Sequence, residues 1–131
     1  MRFLLDTHFV IEVIDEVRYG LSEPGILEQA QQEGDFIVSA VSLWEAEIKS
    51  RIGKLTLRRG IHHWPHLLAQ AAIELLPLSA EQVLADIGLE PENKDPFDRV
   101  LLSVAAAEGC RLLTGDQVLQ RHPLAWRPFL S

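Results

Sequence analysis

The sequence predicts an α/β domain in which a mostly parallel sheet is covered by helices on both faces. Short apolar runs rich in β-branched residues alternate along the chain with segments of helical spacing, and this alternation builds parallel sheets. The chain has 131 residues, 47% of them hydrophobic, and it contains no linker, repeat or low-complexity segment. We therefore expect residues 1–131 to form a single domain with a substantial core.

Five short segments are predicted as strands. Each is a short, largely apolar run that ends at polar or turn-forming residues. The predicted strands are RFLL (2–5), DFIVSA (35–40), IELLPL (73–78), CRLLTG (110–115) and AWRPFL (125–130). The only cysteine, Cys110, begins the fourth strand, where we expect it to be a core residue.

Seven segments between the strands are predicted as helices from their spacing and their end signals. The predicted helices are 7–17, 23–34, 42–53, 61–72, 79–88, 95–109 and 116–121. In the third helix, Trp44, Ile48 and Ile52 are expected to form the buried stripe. The fifth is expected to extend from a serine cap to a glycine. The sixth begins with Asp95 and Pro96 and is apolar nearly all round, so we expect it to be central.

The charge of the chain gives a mixed indication of its partners. A formal net charge of −7 argues by itself against a nucleic-acid-binding protein. However, no acid lies between Ile48 and Ile73. The basic residues in that window are Lys49, Arg51, Lys54, Arg58, Arg59, His62, His63 and His66. The segment is either a solvated helix end followed by a loop, or a basic track for a polyanion.

The apolar runs of the sequence indicate neither a membrane-spanning segment nor a secretory signal. The longest apolar run is too short to span a bilayer, and the acid in FLLDTH interrupts the first run too early for a secretory signal. A single cysteine excludes an internal disulfide and agrees with a reducing compartment. We therefore expect a cytoplasmic protein.

Three acidic residues stand next to predicted strand or helix ends. Asp6 follows the first strand and Asp116 follows LLTG, and either could cap the helix that comes after it. Asp95 is interpreted chiefly as an N-cap, since Pro96 would occupy the first helical position. Thr114 could place a hydroxyl group next to Asp116.

Glu45 and Asp98 are candidates for more than capping. Glu45 follows Ser42 by three residues, as in a capping box, and precedes Lys49 by four, as in a helix ion pair. Because it also borders the predicted buried stripe, structural and functional roles both remain open for it. Asp98 falls in the first turn of the predicted central helix, where partial desolvation would raise its pKa unless a cation is nearby. We expect Asp98 to be functional.

Four of these acids are expected to meet at one rim of the sheet. Two follow strands and two occupy predicted first turns of helices, and such ends converge in an alternating fold. The four are Asp6, Glu45, Asp98 and Asp116. Clustered carboxylates need a counter-charge, and oxygen ligands select hard cations such as Mg²⁺ or Mn²⁺. Such ions activate water and offset the charge of a phosphate under attack, so a phosphodiester is a natural substrate. The clustered histidines have no cysteine or H-E-x-x-H motif beside them and are interpreted as surface residues.

Four motifs in this order resemble the PIN-domain family, and most closely its VapC-type toxins of toxin–antitoxin pairs. They are LLDTH (4–8), SLWEAEIKSRIGKL (42–55), DPFDRVLLSVAA (95–106) and LLTGD (112–116). The resemblance implies a three-layer α/β/α sandwich and a metal-dependent ribonuclease. It also implies an antitoxin protein as partner, and commonly a homodimer.

The same resemblance assigns site residues. The positions that match the family's acidic site are Asp6, Glu45, Asp98 and Asp116, and Thr114 matches the hydroxyl residue before the last acid. Two departures stand at the periphery: Asn93-Lys94 replaces a region that often carries His, and FVIEVI follows LLDTH where xxLW is common. Of the four acids, Asp6 and Asp98 are expected to hold Mg²⁺ or Mn²⁺ most directly.

Two other functions are alternatives to a nuclease. A non-catalytic protein- or nucleic-acid-binding module of the same fold would use all its acids as helix caps. A phosphotransfer domain with an aspartyl acceptor would want an acidic pair and a lysine after a late strand, and LLTGD offers no lysine.

Overall fold

A computed structural model of the chain describes residues 1–16 and 25–127. Its centre is a sheet of four parallel strands in the order β3-β2-β1-β4. The strands are β1 (Arg2–Leu5), β2 (Asp35–Ser39), β3 (Glu74–Leu76) and β4 (Arg111–Leu113). The predicted fold class, an α/β domain with a central parallel sheet flanked by helices, is confirmed.

Six α-helices and two short 3-10 helices connect the strands in the described residues. The α-helices are α1 (Thr7–Ile14), α2 (Ile26–Glu33), α3 (Ala40–Arg51), α4 (Trp64–Gln70), α5 (Ala80–Val83) and α6 (Pro96–Glu108). The 3-10 helices are Ile61–His63, which leads into α4, and Leu119–Arg121, which follows β4. No helix in the described part of the chain is long and apolar enough to span a membrane.

The strands bury alternate residues on the two faces of the sheet, as the two-residue period of a strand requires. Phe3 and Leu5 of β1 pack into one core cluster with residues of α1, α2 and α4. Leu4, between them in sequence, packs into a second cluster with α6. Both faces are therefore covered, which is why these strands are apolar throughout rather than alternating.

The structure confirms the predicted central helix within one residue at each end. Asp95 caps α6, because its Oδ1 accepts hydrogen bonds from the amides of Phe97 at 2.8 Å and Asp98 at 3.3 Å. Pro96 takes the first helical position, where no amide hydrogen is needed. Gly109 ends the helix with a φ of +64°, a left-handed conformation that glycine adopts without a Cβ penalty.

Two predicted helices differ from the observed ones. The helix predicted over 79–88 is a single turn, α5, whose capping box joins Ser79 and Gln82. Beyond it, Asp86 accepts a hydrogen bond from the amide of Gly88, which makes a local turn where the predicted helix would continue. The segment 116–121 was predicted as a short helix and forms only the 3-10 turn at its end.

The predicted buried stripe of α3 is wrong. Trp44 and Ile52 are 56% and 59% exposed. The buried face carries Val41, Ser42, Glu45 and Ala46. The hydrophobic spacing of the sequence did not predict this face, because α3 buries the polar side chains of Ser42 and Glu45. These two side chains form part of the site described below.

Some predictions extend beyond the described residues. The first predicted helix is too long, because α1 ends at Ile14 with Asp15 as its C-cap, and only its last residue, Val17, lies outside the described residues. The beginning of the second predicted helix (23–24) and the end of the predicted last strand (128–130) also lie outside them. The described part of the predicted last strand, residues 125–127, forms only a single parallel bridge between Ala125 and Leu112 and not a strand. Cys110 is buried, as predicted.

Candidate active site

The site begins where β1 and β4 end side by side. The amide of Asp6 donates to the carbonyl of Leu113 at 3.0 Å, which continues the β1–β4 pairing by one residue. Thr114, directly after β4, donates its hydroxyl hydrogen to Asp6 Oδ2 at 2.5 Å. The other carboxylate oxygen of Asp6 accepts from the amide of Phe9 at 2.9 Å and caps α1. Asp6 is thus a buried acid whose orientation two donors determine.

Glu45 enters the site from the middle of α3 rather than from its first turn. The N-cap is Ser39, whose hydroxyl accepts from the amide of Val41, so the predicted capping box of Ser42 and Glu45 does not form. β2 ends at Ser39, and α3 therefore begins two residues earlier than predicted. Glu45 is 4% exposed.

Both oxygens of Glu45 have protein partners. Thr7 donates its hydroxyl hydrogen to Glu45 Oε1 at 2.6 Å, and its oxygen lies 3.1 Å from Ser42 Oγ. Lys49, one helical turn further along α3, donates to Glu45 Oε2. The predicted helix ion pair between Lys49 and Glu45 is confirmed, but it is part of the site rather than of the solvated surface.

Asp98 approaches from the first turn of α6. Its Oδ2 accepts a hydrogen bond from the side-chain amide of Asn93 at 2.8 Å. The neighbouring Arg99 turns away, as its position on the helix predicts, and its guanidinium lies 3.5 Å from Glu90. Among the described residues, Asp98 therefore has an amide partner but forms no ion pair with a cation.

Asp116 is the most exposed of the four predicted acids. Its Oδ1 accepts from the amides of Val118 at 2.8 Å and Leu119 at 3.1 Å, so it caps the turn after β4. Its own amide donates to Thr114 Oγ1 at 3.1 Å. Thr114 thus joins Asp116 to Asp6, as the sequence suggested when it placed a hydroxyl group beside the last acid.

One cavity of about 280 Å³ brings the four acids together. Its lining consists of Asp6, Thr7, His8, Glu45, Lys49, Asn93, Asp95, Asp98, Asp116 and Leu119. The acids come from four segments that are far apart in sequence, and the carboxyl edge of the parallel sheet is where such segments are expected to meet. Thr114 stands behind this lining and is buried against Asp6.

Burial and the close approach of the carboxylates raise the pKa values of two of them. The pKa of Asp98 is raised to about 7, chiefly by burial and further by the negative charges of Asp95, Glu45 and Asp6. Burial also raises the pKa of Asp6, although hydrogen bonds from Thr114 and Phe9 oppose the change. Ionising all four acids together is therefore unfavourable without added positive charge.

Lys49 supplies the positive charge that the cavity lining contains. Partial burial lowers the pKa of its ammonium group, but the hydrogen bond and the charge of Glu45, with those of Asp95 and Asp98, outweigh this and raise it. One ammonium group faces several carboxylates, so the balance of charge in the cavity remains negative.

The carboxylate oxygens of the cavity are suitable ligands for a hard divalent ion, but they are not arranged around one. Every acid in the lining offers oxygen, the ligand atom that Mg²⁺ and Mn²⁺ prefer. Across residues 1–16 and 25–127, however, no group of three or more His, Cys, Asp or Glu side chains is placed so that it could hold a metal ion. Each carboxylate is instead turned to a protein donor, as described above, and ligation requires some of these bonds to open.

Comparison with known families agrees with this architecture. The family model described as "PIN domain" matches residues 3–123. The chain belongs to the PIN domain family. PIN domains are generally nucleases and generally use divalent metal ions. A search of curated proteins found no match to the chain.

Among the side chains of this PIN-domain cavity that were not predicted as parts of the site, three donate hydrogen bonds to the predicted acids. Asn93 lies only five residues before Asp98, but an asparagine in a loop carries no distinctive signal. Thr7 follows Asp6 directly, and nothing in the sequence indicates that its hydroxyl turns to Glu45. Lys49 was visible as a helix partner of Glu45, and only the burial of α3 places it inside the site.

The raised pKa of Asp98 predicts how the metal-free protein responds to pH. The folded state binds this proton more tightly than the unfolded state, whose aspartate pKa is about 3.8. The contribution of Asp98 to the free energy of unfolding is therefore fully present below about pH 4 and is lost as the pH rises towards about 7, a loss of roughly 2–4 kcal/mol. Denaturant unfolding in EDTA at pH 5 and pH 8 measures the difference. Asp98→Asn should reduce it, whereas Glu92→Gln, at an exposed acid, should not; equal pH dependence in both variants contradicts the assignment.

Proposed function

We propose that this PIN domain is a divalent-metal-dependent endoribonuclease that cleaves RNA phosphodiester bonds. One observation carries the proposal: Glu45 and Asp98 line the same cavity as Asp6 and Asp116, although neither of the first two caps a helix end. Burying carboxylates beside one another destabilises a fold unless a cation balances them. A bound cation explains why the chain keeps them there.

The proposed ligands are the four acids, with Asp6 and Asp98 most direct and the other two direct or through water. A bound Mg²⁺ or Mn²⁺ supplies an activated water and offsets charge on the phosphate under attack. Thr114 fixes the orientation of Asp6 with its hydroxyl, and Asn93 does the same for Asp98 with its amide. These donors hold the two carboxylates at the cavity, and a bound ion would compete with them for the carboxylate oxygens.

We further propose the biological role that the VapC-type motifs imply. The chain would be the toxin of a toxin–antitoxin pair, acting in the cytoplasm, restrained by a cognate antitoxin and assembled as a homodimer. The described surface exposes several large apolar side chains, and the buried centres of protein interfaces are built from residues of this kind. The exposed side chains include Trp44, Ile52, Leu84 and Leu89.

A non-catalytic binding module is the second candidate. Three acids in the cavity do cap helices or turns: Asp6, Asp95 and Asp116. A module of this kind accounts for them without a metal. It does not account for Glu45, which sits in mid-helix, and the two candidates therefore differ in whether the cavity binds a divalent ion and cuts RNA.

Cleavage of RNA by the purified protein is the decisive measurement. We expect a mixed-sequence RNA to be cut in Mg²⁺ or Mn²⁺, to remain intact in excess EDTA, and to be cut again when Mn²⁺ exceeds the chelator. Mn²⁺ should also raise the melting temperature, since a ligand bound to the folded state at 100 times its Kd adds about 2.7 kcal/mol. No cleavage and no change in melting would favour the binding module.

A further inference from the structure

The cavity of the four acids opens next to a second cleft of about 430 Å³. The two share five lining residues, namely Thr7, His8, Glu45, Lys49 and Asp95. The rest of the second cleft is lined by Ile11, Lys54 and Leu55. A linear polymer bound in the first cavity could therefore extend into the second cleft, where Lys54 adds a positive charge.

Most cations of the acid-free window are already paired. Arg51 donates to Glu47 Oε1 at 2.6 Å, on the outer side of α3. The guanidinium groups of Arg58 and Arg59 lie 3.9 Å and 3.8 Å from Glu16 Oε2. Lys54, by contrast, forms no ion pair with a carboxylate within residues 1–16 and 25–127. It is also the cation that lines the second cleft but not the first cavity.

The backbone holds Lys54 in this place. Gly53 ends α3 in a left-handed conformation, with a φ of +77°, and the amide of Lys54 then donates to the carbonyl of Lys49 at 2.9 Å. The chain beyond is anchored, because Leu55 packs against the core and Asp15 accepts from the amide of Arg58 at 2.5 Å. Lys54 is thus an exposed ammonium group on a fixed support.

We propose that Lys54 binds a backbone phosphate of single-stranded nucleic acid next to the phosphate that is cleaved. The proposal rests on the proposed function, since the neighbouring phosphate must occupy the acidic cavity. An anion in the second cleft lies against Glu45 and Asp95, which repel it. A bound anion must therefore come with a positive charge that offsets this repulsion. A nucleic-acid strand meets this condition if its adjacent phosphate is held by a divalent ion in the acidic cavity, whereas an acidic peptide brings no such ion.

The salt dependence of binding tests Lys54 separately from catalysis. Because Asp98 must remain to hold the ion, we would replace Mg²⁺ with Ca²⁺, which binds oxygen ligands but does not take the strict octahedral geometry of Mg²⁺ and should slow cleavage. Binding of a labelled 12-nucleotide RNA would then be measured by anisotropy between 0.05 and 0.5 M salt, with the RNA checked on a gel for integrity. Losing one phosphate contact makes the negative slope of log affinity against log salt shallower by about 0.7. Relative to the parent, the affinity of the variant then falls about fivefold when the salt is lowered from 1 M to 0.1 M. We expect Lys54→Gln to show this change.

Arg51→Gln is the matched control, because it removes the same charge from an ion-paired position three residues away. Equal slopes for Lys54→Gln and Arg51→Gln would overturn the phosphate subsite, even if the parent protein cuts RNA. A slope change specific to Lys54→Gln, with a parent that does not cut, would support the subsite and remove the nuclease instead. If poly-glutamate bound with the same dependence on Lys54 and RNA did not bind, an acidic protein segment would be the occupant and the proposal would fail.

Discussion

Asp98→Asn is expected to reduce RNA cleavage by at least about 10³-fold, which corresponds to about 4 kcal/mol of transition-state stabilisation. The substitution keeps the shape of the side chain and the partner amide of Asn93, but it removes the charge that would face the ion. Burial and three neighbouring acids already disfavour that charge. The variant should therefore be at least as stable as the parent in metal-free buffer, and the loss of cleavage cannot come from unfolding.

Initial rates on one RNA at saturating Mn²⁺ measure this effect, with melting curves recorded for the same preparations. Glu47→Gln is the control, since Glu47 stands two residues from Glu45 on α3 but pairs outward with Arg51. It should cut RNA at the parental rate. Undiminished cleavage by a purified Asp98→Asn protein would show that Asp98 is not part of the active site.

The sequence was sufficient for features that depend on local chemistry. The limits of α6 follow from an Asp-Pro beginning and a glycine end, and both signals act within a single turn. The predicted positions of β1, β2 and β4 also agree with the structure, because each is a short apolar run directly bounded by polar residues. Their alternation with helices was enough to predict that acids after strands would come to one edge.

Sequence reasoning failed where the site overrides the hydrophobic pattern. On α3 it selected Trp44 and Ile52 as buried, while the structure buries Ser42 and Glu45. Spacing alone cannot predict that a helix turns its polar side chains inward, because the compensating donor, Thr7, comes from a different helix. Conflicts of this kind between local pattern and structure are expected at functional sites.

Glu45 shows how one acid of the cluster is balanced without an added ion. Both of its oxygens are satisfied, one by the hydroxyl of Thr7 and the other by the ammonium group of Lys49. These partners offset part of the desolvation penalty of this one buried carboxylate, while the other acids of the cavity still repel one another. Lys49 therefore acts as an internal counter-ion, and a divalent ion that approaches Glu45 competes with it for Oε2.

Lys49→Met is accordingly expected to tighten Mn²⁺ binding by about tenfold, or about 1.4 kcal/mol, because methionine has a similar length but neither repels the ion nor occupies Glu45 Oε2. In EDTA the same variant should be less stable than the parent, since Glu45 loses a partner while it stays buried. Titration calorimetry with Mn²⁺ and metal-free melting measure the two effects. Arg51→Met is a close control: it breaks an ion pair of the same spacing on the same helix, but Arg51 is 77% exposed, so both quantities should stay near parental values. If Lys49→Met and Arg51→Met bind Mn²⁺ equally, Lys49 does not compete with the metal.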